Sequence, residues 1–204
     1  MNENYFVTGI GTGIGKTMIS AILTEKLKAD YWKPIQSGDL AQSDSFAIEN
    51  LISNSKTKIH SEIYRLNKPL SPHLSAKLDG IQIELSKFHL PETKNSLIIE
   101  GAGGLLVPLN DKELILDLIK QLNVQVIVVS QNYLGSINHT LLTINALKQN
   151  SIQIKGIIFN GESNLETEDY ILKYMQVPCL GKIPLLKDVN KQTIIEAGHY
   201  LTFE

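Results

Sequence analysis

The residues best suited to chemistry lie near the start of the chain, where Gly15, Lys16 and Thr17 close the run FVTGIGTGIGKT. An apolar strand running into a glycine-rich loop and then a helix points backbone N–H groups at an anion. The ammonium of Lys16 and the hydroxyl of Thr17 stand alongside them. The common phosphate-loop spacing has four residues between its first glycine and Gly-Lys-Thr. Here five residues separate Gly9 from Gly15, so the loop is one residue longer. Gly-x-Gly alone would fit a plain strand-to-helix turn; Gly-Lys-Thr after a strand points instead to phosphates, and a triphosphate on Mg2+ needs these donors.

Two further stretches carry groups of matching chemistry. Lys33 ends an apolar run in YWKPIQSG, followed by Ser37. A lysine at the end of a buried strand is costly unless it meets an anion. It either stabilises phosphoryl charge from the side opposite Lys16 or snorkels at a sheet edge. Asp44 opens the next helical stretch, as an N-cap or as a holder of magnesium near the loop. In LIIEGAGG, Glu100 follows three apolar residues and precedes small ones. A carboxylate at a strand end is how nucleotide-binding sheets hold magnesium, although aspartate is the more usual residue. The glycines allow a ligand to approach the backbone closely.

The elements that must position these groups read as short apolar runs at residues 5–8, 31–35, 97–99, 124–130 and 154–159, taken as buried parallel strands. Helical spacing of apolar residues marks 16–28, 43–52, 114–122, 136–149 and 166–175. Such alternation implies an α/β, doubly wound, mostly parallel sheet flanked by helices, with ligands beyond the carboxyl ends of the strands. Residues 53–91 are the least periodic part, and Pro69 and Pro72 break any long helix there. The whole chain, 204 residues, reads as one domain without internal repeats. With 19 basic against 21 acidic side chains and no basic run, nucleic acid is not an expected partner. No apolar segment approaches the roughly 20 residues of a membrane span, and a cytoplasmic location is expected. The single cysteine, Cys179, reads as a small core residue, and the histidines, His73 and His139 among them, as solvent-facing or capping groups.

Taken together, GIGTGIGKT, KPIQSG, QSDSF, LSPHLSAKLDG, EGAGGLLVP and NYLGSINHT stand in the order and approximate spacing of the dethiobiotin synthetase family, a P-loop NTPase type, and the chain resembles that family over most of its length. After Phe159 the match narrows to Asn160 and the run LGKIP at 180–184. The resemblance implies that Gly13, Ile14, Gly15, Lys16, Thr17 and Met18 surround the phosphates of ATP. It implies Thr17, Asp44 and Glu100 as protein ligands of Mg2+, and Lys33 with Lys16 as the catalytic pair at the reacting phosphoryl group. Gly101, Ala102 and Gly103 would adjoin the nucleotide, and Asn160, Gly161, Pro184, Leu185 and Leu186 would meet its base. Thr12 and Ser37 would hydrogen-bond 7,8-diaminononanoate or its carbamate. Gly135, Ser136, Ile137 and Asn138 would offer a helix N-terminus to the substrate carboxylate of a neighbouring subunit, making a homodimer functional.

The implied reaction joins CO2 to the diamine as a carbamate, phosphorylates it with ATP, and closes the ring by attack of the second amine. Positioning and charge stabilisation suffice for this, and no motif residue is an obvious covalent nucleophile. Family loops often carry acidic residues where this one has Gly11 and Gly13, so side-chain contacts from those positions are absent. A nucleotide-driven switch of the partition-ATPase type is the rival. Such proteins place an extra lysine five residues before the loop lysine, where this chain has Gly11. An ammonia-using ligase of the same superfamily would need a glutamine-hydrolysing domain, for which 204 residues leave no room.

Overall fold

The structure, a computed structural model, describes residues 3–203. In chain order it comprises β1 (Asn4–Gly9), α1 (Lys16–Leu27), β2 (Asp30–Trp32), β3 (Ile35–Ser37), α2 (Asp44–Leu51), β4 (Ile59–His60), β5 (Tyr64–Leu66) and α3 (Pro72–Leu78). There follow β6 (Leu97–Glu100), α4 (Ile115–Leu122), β7 (Gln125–Ser130), α5 (Ser136–Gln149), β8 (Ile154–Asn160), α6 (Leu165–Met175), β9 (Cys179–Ile183) and α7 (Lys191–Ala197). Seven strands form one parallel sheet in the order β4-β2-β6-β1-β7-β8-β9, and β3 pairs with β5 in a separate parallel pair.

The two-residue period of a strand divides the core between the faces of the sheet. Tyr5 and Val7 of β1, with Ile127 and Val129 of β7, pack under α1, α2 and α7 against Ile19, Ile22, Ile48 and Ile194. Phe6, Val126 and Val128 face the other way, toward α4, α5 and α6, where Ile119, Ile144 and Ile171 meet them. In α4 the buried Ile115, Leu118, Ile119 and Leu122 recur at helical spacing. Each such side chain contributes about 1.5–3 kcal/mol when fully buried. The helix starts where the Asp117 carboxylate accepts the Leu114 N–H at 2.9 Å, satisfying one of its orphan donors.

Strand order places the chemistry. The chain leaves central β1 toward β2 on one side and later fills β7, β8 and β9 on the other, so a switch point lies at the carboxyl end of β1. The loop before Lys16 follows β1, Glu100 ends the adjacent β6, and Lys33 follows β2 on the far side of β6. Three neighbouring strands therefore deliver the three groups to one edge.

The structure differs from the sequence reading in several places. The run 31–35 is not one strand: β2 stops at Trp32 and β3 joins β5 in the smaller sheet. Pro34, with no N–H to give the ladder, lies in the break, and Lys33 is thereby freed from regular pairing. Pro72 starts α3 at its first turn, where a missing N–H costs nothing, rather than only breaking a helix. The aperiodic stretch also supplies β4 and β5, too short for periodicity to show. Strand β9 and helix α7 were not anticipated at all. The N-cap of α2 is Ser43, whose hydroxyl accepts the Phe46 N–H at 3.2 Å, so Asp44 is not the cap.

Candidate active site

Between β1 and α1 the loop needs left-handed backbone at Gly13 (φ 74°) and Gly15 (φ 87°). At Gly15 a Cβ would lie 2.2 Å from Asn160 Nδ2, which donates to the Ile14 carbonyl at 2.8 Å. Asn160, at the end of β8, thus clamps the loop from beneath. Lys16 is 7% exposed and its ammonium donates back to the Gly11 carbonyl at 2.8 Å. Burial pulls this amine down to about 8, with Lys33 adding to the pull and Glu100 and Asp44 resisting it. An anion in the cleft would reverse that pull.

Thr17 lies one residue beyond, and its Oγ1 is 2.9 Å from both Asp44 Oδ1 and Glu100 Oε1. A hydroxyl has one proton, so it can donate to only one of these carboxylates and turns a lone pair toward the other. Lys33 is the cation that holds the cluster together. Its Nζ is 2.6 Å from Asp44 Oδ2, 3.0 Å from Glu100 Oε1 and 3.1 Å from the Gly101 carbonyl, with only 4% of the residue exposed. Burial works against its charge, but Glu100 and then Asp44 overcome it and hold the ammonium above its ordinary range. Asp44 is held low in return: burial opposes ionisation and Lys33, Thr17 and Lys16 outweigh it. Gln36 positions Asp44 by accepting its N–H at 3.2 Å.

A cleft of about 640 Å³ opens over this cluster, lined by Lys16, Thr17, Lys33, Asp44 and Glu100 together with Thr12 and Ser37. The Ser37 hydroxyl is covered and has no partner, leaving a donor for a ligand. Gly13, Gly15, Ala102 and Gly103 complete the same wall, and Gly101 contributes its carbonyl to Lys33. Ile14 is buried in the core beneath the loop and Met18 packs partly against it.

Other expected residues lie apart from the cleft. Asn160 and Gly161 adjoin β9, with the Gly161 N–H bonded to the Ile183 carbonyl at 2.9 Å, while Pro184 and Leu185 are exposed and Leu186 is half-buried. Gly135 (φ 100°) precedes α5, whose first turn holds Ser136, Ile137 and Asn138; none of these four lines the cleft of its own chain. Sequence reading passed over Tyr31, whose hydroxyl donates to Glu100 Oε2 at 2.9 Å. Its signal was its spacing of two from Lys33, which puts both side chains on one face of an extended segment. Burial, then the Glu100 charge, keeps that phenol well above its ordinary range and therefore protonated.

The profile of a family described as an AAA domain matches residues 3–193. An ATP-dependent dethiobiotin synthetase, BioD, of Christiangramia forsetii is 52% identical over 90% of this chain and 88% of its own length. The counterpart of the same name in Cytophaga hutchinsonii is 48% identical over 94% and 93%. The chain belongs to the dethiobiotin synthetase family. Among solved structures, the septum site-determining protein MinD from Pyrococcus horikoshii superposes with a TM-score of 0.61 at 14% identity, over 97% of this chain and 95% of its own. A ParA family ATPase from Chlorobium tepidum gives 0.54 at 16%, over 98% and 100%. At such identities the likeness extends to the α/β P-loop fold alone. The partition-ATPase rival thus shares the architecture of this dethiobiotin synthetase family chain, while close sequence kinship lies with the synthetases.

Proposed function

We propose that the protein is an ATP- and Mg2+-dependent dethiobiotin synthetase, joining 7,8-diaminononanoate and CO2 into a cyclic urea while ATP becomes ADP and phosphate. The name of its close relatives supports the reaction. The observation that carries it to this chain is the single cleft in which phosphate-loop groups, a carboxylate pair, Lys33 and the unpartnered Ser37 hydroxyl face one another.

The donor set suits magnesium. Thr17 holds two carboxylate oxygens at 2.9 Å with one proton between them, an arrangement that a hard cation relieves. Among the described residues no group of three or more His, Cys, Asp or Glu side chains converges. Two carboxylates and a hydroxyl leave positions for phosphate oxygens and water, as Mg2+ prefers. When bound, the ion supplies charge neutralisation on the phosphates.

The residues themselves do the following. The loop N–H groups and Lys16 seat the phosphates, and Thr17, Asp44 and Glu100 face the metal. Thr12 and Ser37 orient the carbamate formed when one amine takes up CO2. Its oxygen attacks the terminal phosphorus, ADP leaves, and the resulting mixed anhydride loses phosphate when the second amine attacks the carbonyl. Lys33 stabilises the negative charge that develops on the transferring group. Asn160, Gly161 and 184–186 flank the base.

Because the α5 N-terminus lies outside its own cleft, we read it as completing the site of a second copy in a homodimer. Exposed Leu134 directly precedes it, and exposed Leu106 and Leu142 line one hollow with His139 of α5; these support that surface. No helix of the described residues is long and apolar enough to cross a membrane, and ATP as co-substrate argues for a cytoplasmic location.

The reaction is tested by following phosphate release from MgATP and bicarbonate with and without 7,8-diaminononanoate, with the organic product followed by mass. Diamine-dependent release with formation of the cyclic urea is expected. Slow release indifferent to the diamine would discard the substrate and bring the switch forward.

A further inference from the structure

The two oxygens of Glu100 have different neighbours. Oε1 faces Thr17 and Lys33 in the cleft, whereas Oε2 points back into the sheet and accepts from the Tyr31 hydroxyl at 2.9 Å. Both residues are shut off from solvent, with exposures of 0% for Tyr31 and 1% for Glu100. On the paired strands Tyr31 stands opposite Ile98, so Glu100 is two residues further on and on the same face. A carboxylate pivots about its last torsion, and a terminal sp²-type torsion is soft. A fixed donor behind one oxygen removes that freedom and decides which oxygen points forward.

We propose that Tyr31 is a positioning residue for the metal site, its hydroxyl locking Glu100 so that Oε1 is presented to the divalent cation of the nucleotide. The proposal rests on the reading of Glu100 as a metal ligand. The ring of Tyr31 packs in the apolar cluster beneath α1, so Tyr31→Phe keeps the packing and deletes only the donor. It leaves Oε2 buried without its partner and the carboxylate held only through Oε1, by Thr17 and Lys33.

The test measures binding rather than turnover. A fluorescent ATP analogue is titrated at fixed concentration with Mg2+, and separately bound in EDTA, for the wild type, Tyr31→Phe, Glu100→Gln and the double variant. Loss of an outer partner of a metal ligand typically weakens metal affinity about 10–100-fold. The expected result is therefore a rise of roughly tenfold or more in the Mg2+ midpoint for Tyr31→Phe. Binding in EDTA should be unchanged, and the Tyr31 substitution should add nothing in the Glu100→Gln background. If Glu100→Gln raises the midpoint and Tyr31→Phe does not, Tyr31 has no positioning role. Equal loss with and without Mg2+ in Tyr31→Phe would mean a purely structural tyrosine and also overturn the proposal. If Glu100→Gln itself leaves the midpoint in place, the metal reading of Glu100 falls and this inference falls with it.

Discussion

Glu100 and Glu168 are each only 1% exposed, and both lie on the side of the sheet where the strands end, yet their surroundings are opposite in kind. Glu168 accepts from Lys182 Nζ at 2.7 Å, Asn132 Nδ2 at 2.8 Å, the Asn164 N–H at 2.9 Å and Ser163 Oγ at 3.0 Å. Donors from the segments after β7 and β8, and from β9 itself, converge on it, and among the described residues no second carboxylate forms an ion pair with Lys182. Glu100 instead shares the one proton of Thr17 and the one ammonium of Lys33 with Asp44. A carboxylate surrounded by donors is a staple. A carboxylate crowded by another acid keeps coordinating capacity that a cation can use.

The contrast is broken most severely at Lys33. Lys33→Ala removes the charge between Asp44 and Glu100 and the group proposed to steady the transferring phosphoryl. Turnover should fall about 10²–10³-fold, the usual cost of one transition-state donor, while MgATP affinity changes much less. Unaltered turnover would take Lys33 out of the mechanism.

On the other side of the comparison, Glu168→Ala takes the acceptor from Lys182, Ser163 and the Asn164 N–H, and one of two acceptors from the Asn132 amide. Glu168 is buried but Lys182, Ser163 and Asn164 reach solvent and can be rehydrated, so the loss costs about 1.5–3 kcal/mol, or roughly 3–12 °C in Tm for a chain of this size. The activity of the molecules that remain folded should stay near the wild-type value. A variant that melts normally but no longer binds nucleotide would make Glu168 a ligand and erase the distinction between the two acids. Between these extremes, Asp44→Asn should raise the Mg2+ needed for nucleotide binding about tenfold and leave binding in EDTA as it was. Unchanged metal dependence would reduce Asp44 to an opener of α2.

The same contrast explains how much of the molecule could be read from its residues. Lys16, Thr17, Lys33 and Glu100 announce themselves because each follows an apolar run or a glycine turn at a strand end, and Asp44 because it opens a helical stretch; the fold brings them into one cleft. The central strands and most helices were legible for the same reason, their periods being long enough to count. Glu168 was not, because its partners Asn132, Ser163 and Lys182 are scattered over three segments and meet only through sheet order. Tyr31 was hidden by looking like one more apolar strand residue. The strands β4 and β9 were hidden too, the first by its two residues and the second by a glycine and a lysine interrupting its apolar pattern.

The finest separation of the two acids comes from pH. Burial opposes ionisation of Glu168, but Lys182, the Asn164 N–H, Asn132 and Ser163 outweigh it and hold the carboxyl below its ordinary value of 4.5. In the unfolded chain the group titrates near that ordinary value. Between the two values the unfolded state binds the extra proton, so stability there rises with pH. The contribution of Glu168 is thus complete above about 4.5 and drains away as pH falls through the lowered native value. Asp30, Asp44 and Glu25 are held low as well, so acid unfolding of the wild type alone reports their sum. The difference between wild type and Glu168→Gln isolates one of them. In urea melts that stability gap should be constant at neutral and mildly acid pH and should narrow below 4.5. A gap that persists unchanged into strong acid would mean that Glu168 acts by shape and hydrogen bonding rather than by charge, and its ion pair with Lys182 would then add nothing to the staple.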